Sequence, residues 1–176
     1  RVKRVQDLLL APLPVSRRAD LVADLADVAR LDPDTPASSP LRIPGHLLRR
    51  AQQVHTALFA AELGGALTGP QFAALHAIGD DPGLSQSDVG QRAALDKPTV
   101  ADIVDRLARR GWVERRRDPS DGRRRTLYLT DAGAAETAGA APRVVRVQEQ
   151  VLEPLRAVRR TVFVEALHAI GVRDLV

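Results

Sequence analysis

The stretch from Trp112 to Leu129 constrains the chain more than any other. Trp112-Val113-Glu114 and Thr126-Leu127-Tyr128-Leu129 read as two strands, and Pro119-Ser120-Asp121-Gly122 between them is turn chemistry, which predicts a β-hairpin with its tip at Asp118 to Arg124. The hairpin also carries the charge. Nine arginines and three acids lie between Arg106 and Arg125, a local excess of +6 in a chain whose net charge is only +4. A focused basic feature therefore sits on a near-neutral body, the footprint of a protein that docks on a polyanion. A solvated charged face is the reading that charge alone leaves open.

What precedes the hairpin is helical. Ser85 with Asp88 is a capping-box pattern that opens a short helix containing Val89 and Ala93. A turn at Ala94 and Leu95 leads to Asp96, a helix cap with Pro98 in the first turn, and Val100, Ile103, Val104 and Leu107 form the buried stripe of the next helix, closed by Gly111. Two helices joined by so short a turn are a helix-turn-helix candidate, and the hairpin that follows at once makes a wing.

The remaining segments are helices and one linker. Thr68 with Gln71 caps a helix over Phe72, Leu75 and Ile78, and Ile43, Leu47, Ala51, Val54, Leu58 and Ala61 mark a long helix ending at Gly64 and Gly65. Thr130 and Asp131 cap another long helix bearing Val144, Val147 and Val151 with a kink expected at Pro142, and a last helix carries Val158, Val162, Ala166, Leu167 and Ile170. Near the front, Leu21, Leu25 and Val28 recur at helical spacing, with Asp20, Asp24 and Asp27 on the other side. Prolines 33, 36, 40 and 44 make the following stretch an extended linker. The expected fold class is mainly α with a small β-wing, a winged helix-turn-helix domain over residues 67–130 plus a helical dimerisation layer from 41–66 and 131–176. Residues 1–40 form an N-terminal arm with one extra helix.

Several function classes fall away. With no cysteine, disulfides, zinc-thiolate sites and cysteine nucleophiles are excluded. His46, His55, His76 and His168 are scattered without metal-ligand or catalytic spacing, and there is no phosphate-binding glycine loop, so neither an enzyme nor a cofactor or metal site is expected. No apolar run reaches the ~20 residues of a membrane span. Leu8 to Leu10 are cut off by Pro12 and Pro14 and do not read as a signal peptide, so the expected compartment is the cytoplasm.

The chain resembles the multiple-antibiotic-resistance repressor (MarR) family of winged-helix regulators. The residues that carry the likeness are Leu67-Thr68-Gly69-Pro70-Gln71-Phe72, Leu84-Ser85-Gln86 with Val89-Gly90, Asp96-Lys97-Pro98-Thr99-Val100, and Asp118-Pro119-Ser120-Asp121-Gly122-Arg123-Arg124 leading to Leu127-Tyr128-Leu129-Thr130 and Gly133. The likeness runs from Leu41 to Ile170 and leaves the arm outside the family pattern. It implies a triangular homodimer in which the first long helix and the last two helices of each subunit interleave. The surplus apolar stripes of those helices favour the same arrangement independently.

The expected partner is double-stranded DNA, as an inverted-repeat operator. Arg123, beside Arg124 near the wing tip, suits a narrow minor groove, and Asp121 is placed to orient an arginine; the family's wing acids and arginine match Asp118, Asp121 and Arg123. The helix from Lys97 to Arg110 should enter the major groove with Lys97, Pro98, Thr99, Asp102 and Arg106 toward the DNA. Asp102 could instead pair with Arg106. Ser85, Gln86 and Ser87 at a helix start suit a phosphate, and capping explains Ser85 equally well. A small-molecule effector is expected from the polar content of the first long helix, His46, Arg49, Arg50 and Gln53, with Phe72 and His76 on the next, groups that could converge on an organic anion. The resemblance supplies its class, an aromatic carboxylate or its coenzyme A thioester, since the run from His46 to Gln53 looks like the first helix of family members that regulate the breakdown of such compounds. A ligand-independent architectural DNA-binding protein is the alternative.

Overall fold

The computed structural model describes residues 7–117 and 125–171. The chain divides into two compact units, one running to Leu58 and resuming at Val147, the other Phe59–Arg146. The boundaries fall inside the two long helices, α2 (Pro44–Leu63) and α6 (Asp131–Leu152).

In the Phe59–Arg146 unit, helix α3 (Gly69–Asp80) is opened by both halves of the expected capping box. The Gln71 amide donates to the Thr68 hydroxyl at 3.4 Å, and the Thr68 amide to the Gln71 side chain at 3.1 Å. Helices α4 (Gln86–Arg92) and α5 (Lys97–Arg109) follow, then strands β1 (Val113–Arg117) and β2 (Arg125–Leu129), antiparallel with Val113 opposite Leu129 and Arg117 opposite Arg125. Helix α5 ends in a Schellman motif: Gly111 has φ +72°, its amide donates to the Ala108 carbonyl and the Trp112 amide to that of Leu107, both at 3.0 Å. The hairpin is sewn to the helices at its base. Gly83 and Leu127 exchange amide bonds with neighbouring backbone, Gly83 donating to the Leu127 carbonyl and Leu127 to that of Leu84, each at 2.9 Å. Leu67, Leu75, Ile78, Val89, Val100, Val104, Leu107 and Leu127 are buried to 1% exposure or less and form this unit's core.

The other unit is built around the arm. Helix α1 (Val15–Val28) places Leu21, Leu25 and Val28 on one face, and these join Leu10, Leu13, Ala26 and Ala29 in a cluster with Leu47 of α2, Leu155, and Phe163 and Ala166 of helix α7 (Ala157–Gly171). The arm helix thus has its partner within its own unit. The proline-rich linker is held as well, since Arg42 donates to the Thr35 carbonyl at 2.9 Å and to that of Pro33 at 3.3 Å. A 3-10 turn at Pro40–Arg42 precedes α2.

One sequence expectation comes out differently. Helix α7 buries Phe163 and Ala166, while Val158 is 77% exposed. Val158 stands five positions before Phe163, about 140° round the helix, and so faces away from the arm. Helix α6 continues through Pro142 as one element from Asp131 to Leu152. Among the described residues no helix is long and apolar enough to cross a membrane.

Candidate nucleic-acid interface

The helix-turn-helix is fixed by its caps. The Ser85 hydroxyl lies 2.6 Å from a carboxylate oxygen of Asp88 and 2.9 Å from the Ser87 hydroxyl, and accepts the Asp88 amide at 3.2 Å. Ser85 is therefore a capping residue first, and Gln86 and Ser87 are the side chains at that end with room for a phosphate. The turn is tight: Ala94 takes a left-handed φ of 52°, and a Cβ on Gly90 would lie 3.2 Å from both the Leu95 carbonyl and the Val100 side chain. Only glycine lets α5 approach α4 this closely without displacing either neighbour.

Helix α5 is capped by Asp96, whose carboxylate accepts the Thr99 amide at 2.8 Å. The hydrogen bonds from Thr99, side chain and backbone, hold the Asp96 carboxyl below its ordinary value of 3.8. Val100, Ile103, Val104 and Leu107 face the core, which leaves Lys97, Pro98, Thr99, Asp102 and Arg106 exposed on the other side. Of these, Asp102 and Arg106 pair with each other, Nε to Oδ1 at 3.0 Å. Asp102 therefore orients the arginine along the helix.

The arginines at the end of α5 and on the described hairpin strands divide into three kinds. Arg110 donates to the Ala66 carbonyl at 2.7 Å and stacks 4.9 Å over Trp112. Arg115 pairs with Asp105 of α5, and Arg116 with Glu114 while lying 4.3 Å over the Tyr128 ring. Arg117 and Arg125, opposite each other in the register, are exposed and form no ion pair with any described residue, and the same holds for Lys97. Arg125 and Lys97 line a cleft of about 600 Å³ with Ser85, Gln86 and Ser87. Its rim thus combines two cations, hydroxyl and amide donors and a helix start, a set suited to phosphate oxygens. Sequence reasoning did not single out Arg117 and Arg125. Strand pairing was the available signal, because two arginines in register at the outer end of a hairpin have no room to be anything but exposed. Asp118, Asp121, Arg123 and Arg124 lie outside the described residues.

The residues expected to meet a small molecule are placed as follows. On α2, His46 is half-buried, while Arg49 and Gln53 are exposed. Arg49 makes no hydrogen bond or ion pair with any described residue. Arg50 donates from Nε to the Ala29 carbonyl at 2.8 Å and from Nη2 to that of Arg30 at 3.3 Å. On α3, Phe72 is buried and stands edge-on to His76 at 5.8 Å, and His76 Nδ1 is 2.8 Å from Asp80. His55 of α2 is partly buried, and desolvation holds its imidazole below the ordinary 6.5. Among the described residues no group of three histidines and carboxylates could hold a metal ion.

A helix-turn-helix whose second helix runs straight into a basic two-stranded wing defines a DNA-binding protein of the winged-helix class. Residues 67–124 match the MarR family. HosA, a transcriptional regulator of Escherichia coli O111:H-, is 38% identical over 120 residues, which span 68% of this chain and 88% of HosA. Among solved structures, the Streptomyces coelicolor regulator PcaV in complex with its natural ligand is 40% identical with a TM-score of 0.72, covering 77% of this chain and 97% of PcaV. BpsR of Bordetella bronchiseptica, whose DNA binding is regulated by 6-hydroxynicotinic acid, is 30% identical with a TM-score of 0.74, covering 79% of this chain and all of BpsR, 100%. The chain belongs to the MarR family of winged-helix transcription regulators, and is not an enzyme.

Proposed function

We propose that this chain is a dimeric repressor that holds an inverted-repeat operator and lets go of it when a small organic anion binds, an aromatic carboxylate or its coenzyme A thioester. Helix α5 reads the major groove through Lys97, Pro98 and Thr99, with Arg106 steadied by Asp102. Lys97, Arg117 and Arg125 meet phosphates, and the wing tip with Asp121, Arg123 and Arg124 enters the minor groove. His46, Arg49 and Gln53 of α2 are the proposed effector contacts.

The observation that carries the reading is Arg49, exposed on α2 without a hydrogen bond or ion pair to any described residue, in a chain 30% identical to BpsR, a protein controlled by an aromatic acid. A guanidinium fork pairs bidentately with a carboxylate, which gives such a group a ligand to wait for. Release requires that the acid bind the non-binding conformation more tightly than the DNA-binding one. The test is titration of hydroxylated benzoic and nicotinic acids, and of their thioesters, into the protein–operator complex. Release by one of them, lost in Arg49→Ala, is the expected result. If none releases DNA while operator binding is intact, the protein is a ligand-independent DNA-binding protein.

A further inference from the structure

We infer that the N-terminal arm withdraws Arg50 from the effector-binding residues of α2, so that the chain answers to a singly charged organic acid and discriminates against a dianion. The inference rests on the effector reading just proposed and narrows it. Arg49 and Arg50 are consecutive, so their side chains leave α2 about 100° apart and cannot both be committed to the arm. Arg50 is the one committed. The Ala29 and Arg30 carbonyls that it holds, at 2.8 and 3.3 Å, stand at the C-terminal end of α1, where carbonyls lack helical partners and the helix dipole is negative. Arg30 has the left-handed φ of 51° that ends the helix there, and Ala29 is fully buried.

The rest of the arm keeps these carbonyls in place. Arg159 of α7 grips Asp24 with two bonds, Nε to Oδ1 at 3.1 Å and Nη2 to Oδ2 at 2.7 Å, and reaches Asp20 with Nη1 at 3.1 Å. Leu21, Leu25 and Val28 lie buried beneath the same helix. Arg50 is thus occupied by a docked element and not by a passing surface contact. Arg49 is left as the one of the two arginines whose side-on fork, Nε with Nη2, is open to a ligand, and one fork neutralises one carboxylate. A second carboxylate, or the phosphates of a coenzyme A thioester, would find the side-on donors of Arg50 already taken and its side chain turned to α1 unless α1 were loosened. By linkage, whatever loosens α1 improves dianion binding, and a dianion that recruits Arg50 loosens α1.

The test uses the full chain and two probes of matched substitution, 3-hydroxybenzoate and isophthalate, titrated into the protein–operator complex. Three proteins are compared: wild type, a clasp variant with Asp20→Asn and Asp24→Asn, and that variant with Arg50→Ala added. Hydrogen exchange over residues 15–30 reports whether the arm has opened, and Arg159→Lys stands in should the double variant fail to fold. Wild type is expected to need at least about tenfold more isophthalate than 3-hydroxybenzoate, the clasp variant to close that gap by roughly tenfold, and Arg50→Ala to reopen it. Equal potency of the two acids on wild type overturns the inference. So does an unchanged ratio in a clasp variant whose arm exchange has risen. If neither acid releases wild type, the effector reading fails by itself and the arm is judged on exchange alone: Arg50→Lys, which keeps the charge and loses the fork, should speed exchange at the last turn of α1, and no change overturns the arm's hold on Arg50.

Discussion

Gly133 shows how much one missing carbon can matter. A Cβ there would collide with the backbone carbonyl of Trp112, which is fixed in turn by the Thr130 amide at 3.1 Å. Backbone cannot swing aside as a side-chain tip can, so Gly133→Ala should destabilise the protein by about 1–3 kcal/mol, read from chemical denaturation. The sequence marked this glycine only through its resemblance to a family. The grip of Arg159 on Asp24 was not marked at all, because its partners lie 135 positions apart and nothing local links them. Asp24 is buried at 6% exposure, and removing its arginine leaves a carboxylate with no cation in an apolar layer. Arg159→Ala is expected to lower Tm by roughly 5 °C or more, and Asp24→Asn in the same background to recover part of the loss. His55 adds a pH dependence. Burial depresses its folded-state value below 6.5, so the unfolded chain takes the proton first as pH falls. Its contribution is complete above 6.5 and is lost as pH drops through the lower folded value. Melting followed between about pH 7.5 and pH 5 should show the decline, and His55→Gln should flatten it.

Elements were legible where their ends carry chemistry. Thr68 with Gln71, Ser85 with Asp88, Asp96 and Gly111 each announce a terminus through a group that satisfies stray backbone donors or acceptors, and each does so in the structure. The face an element buries was less legible when its partner is distant in sequence. Helix α7 offers Val158 and Phe163 on different sides, and only the docked arm decides in favour of Phe163. The candidate interface divides in the same way: the exposed side of α5 follows from its four-residue stripe, whereas the separation of Arg115 and Arg116, tied to Asp105 and Glu114, from Arg117 and Arg125, which pair with no described residue, needed the register. Asp96 tests the link from element to function. Asp96→Ala removes the acceptor for the Thr99 amide and should lower Tm by about 2–4 °C while weakening operator binding, since Lys97, Pro98 and Thr99 begin the same turn. Because its folded value lies below 3.8, the cap is intact above that value and fails as pH falls through the lower one.

Nine arginines against three acids between Arg106 and Arg125 make one segment of the winged unit strongly basic in a chain of net charge +4, and that concentration makes operator binding depend on salt in a way that can be partitioned. Each arginine on a phosphate releases a condensed counterion, so its loss should reduce the slope of log affinity against log salt by about 0.9. Arg117→Ala and Arg125→Ala are expected to do this equally on cognate and unrelated DNA. Thr99→Ala should leave the slope unchanged and relax sequence preference, as befits a group aimed at base edges. These effects have a symmetric reading if the protein acts as a dimer. A two-fold axis places two copies of α5 on half-sites about one helical turn apart, so footprints should protect an inverted repeat and the salt effect of each substitution should count twice per operator. Sedimentation at micromolar concentration together with footprinting decides the matter: a monomer protecting a single half-site, with a slope change of about 0.9 rather than about 1.8 per substitution, would show that the winged unit binds alone.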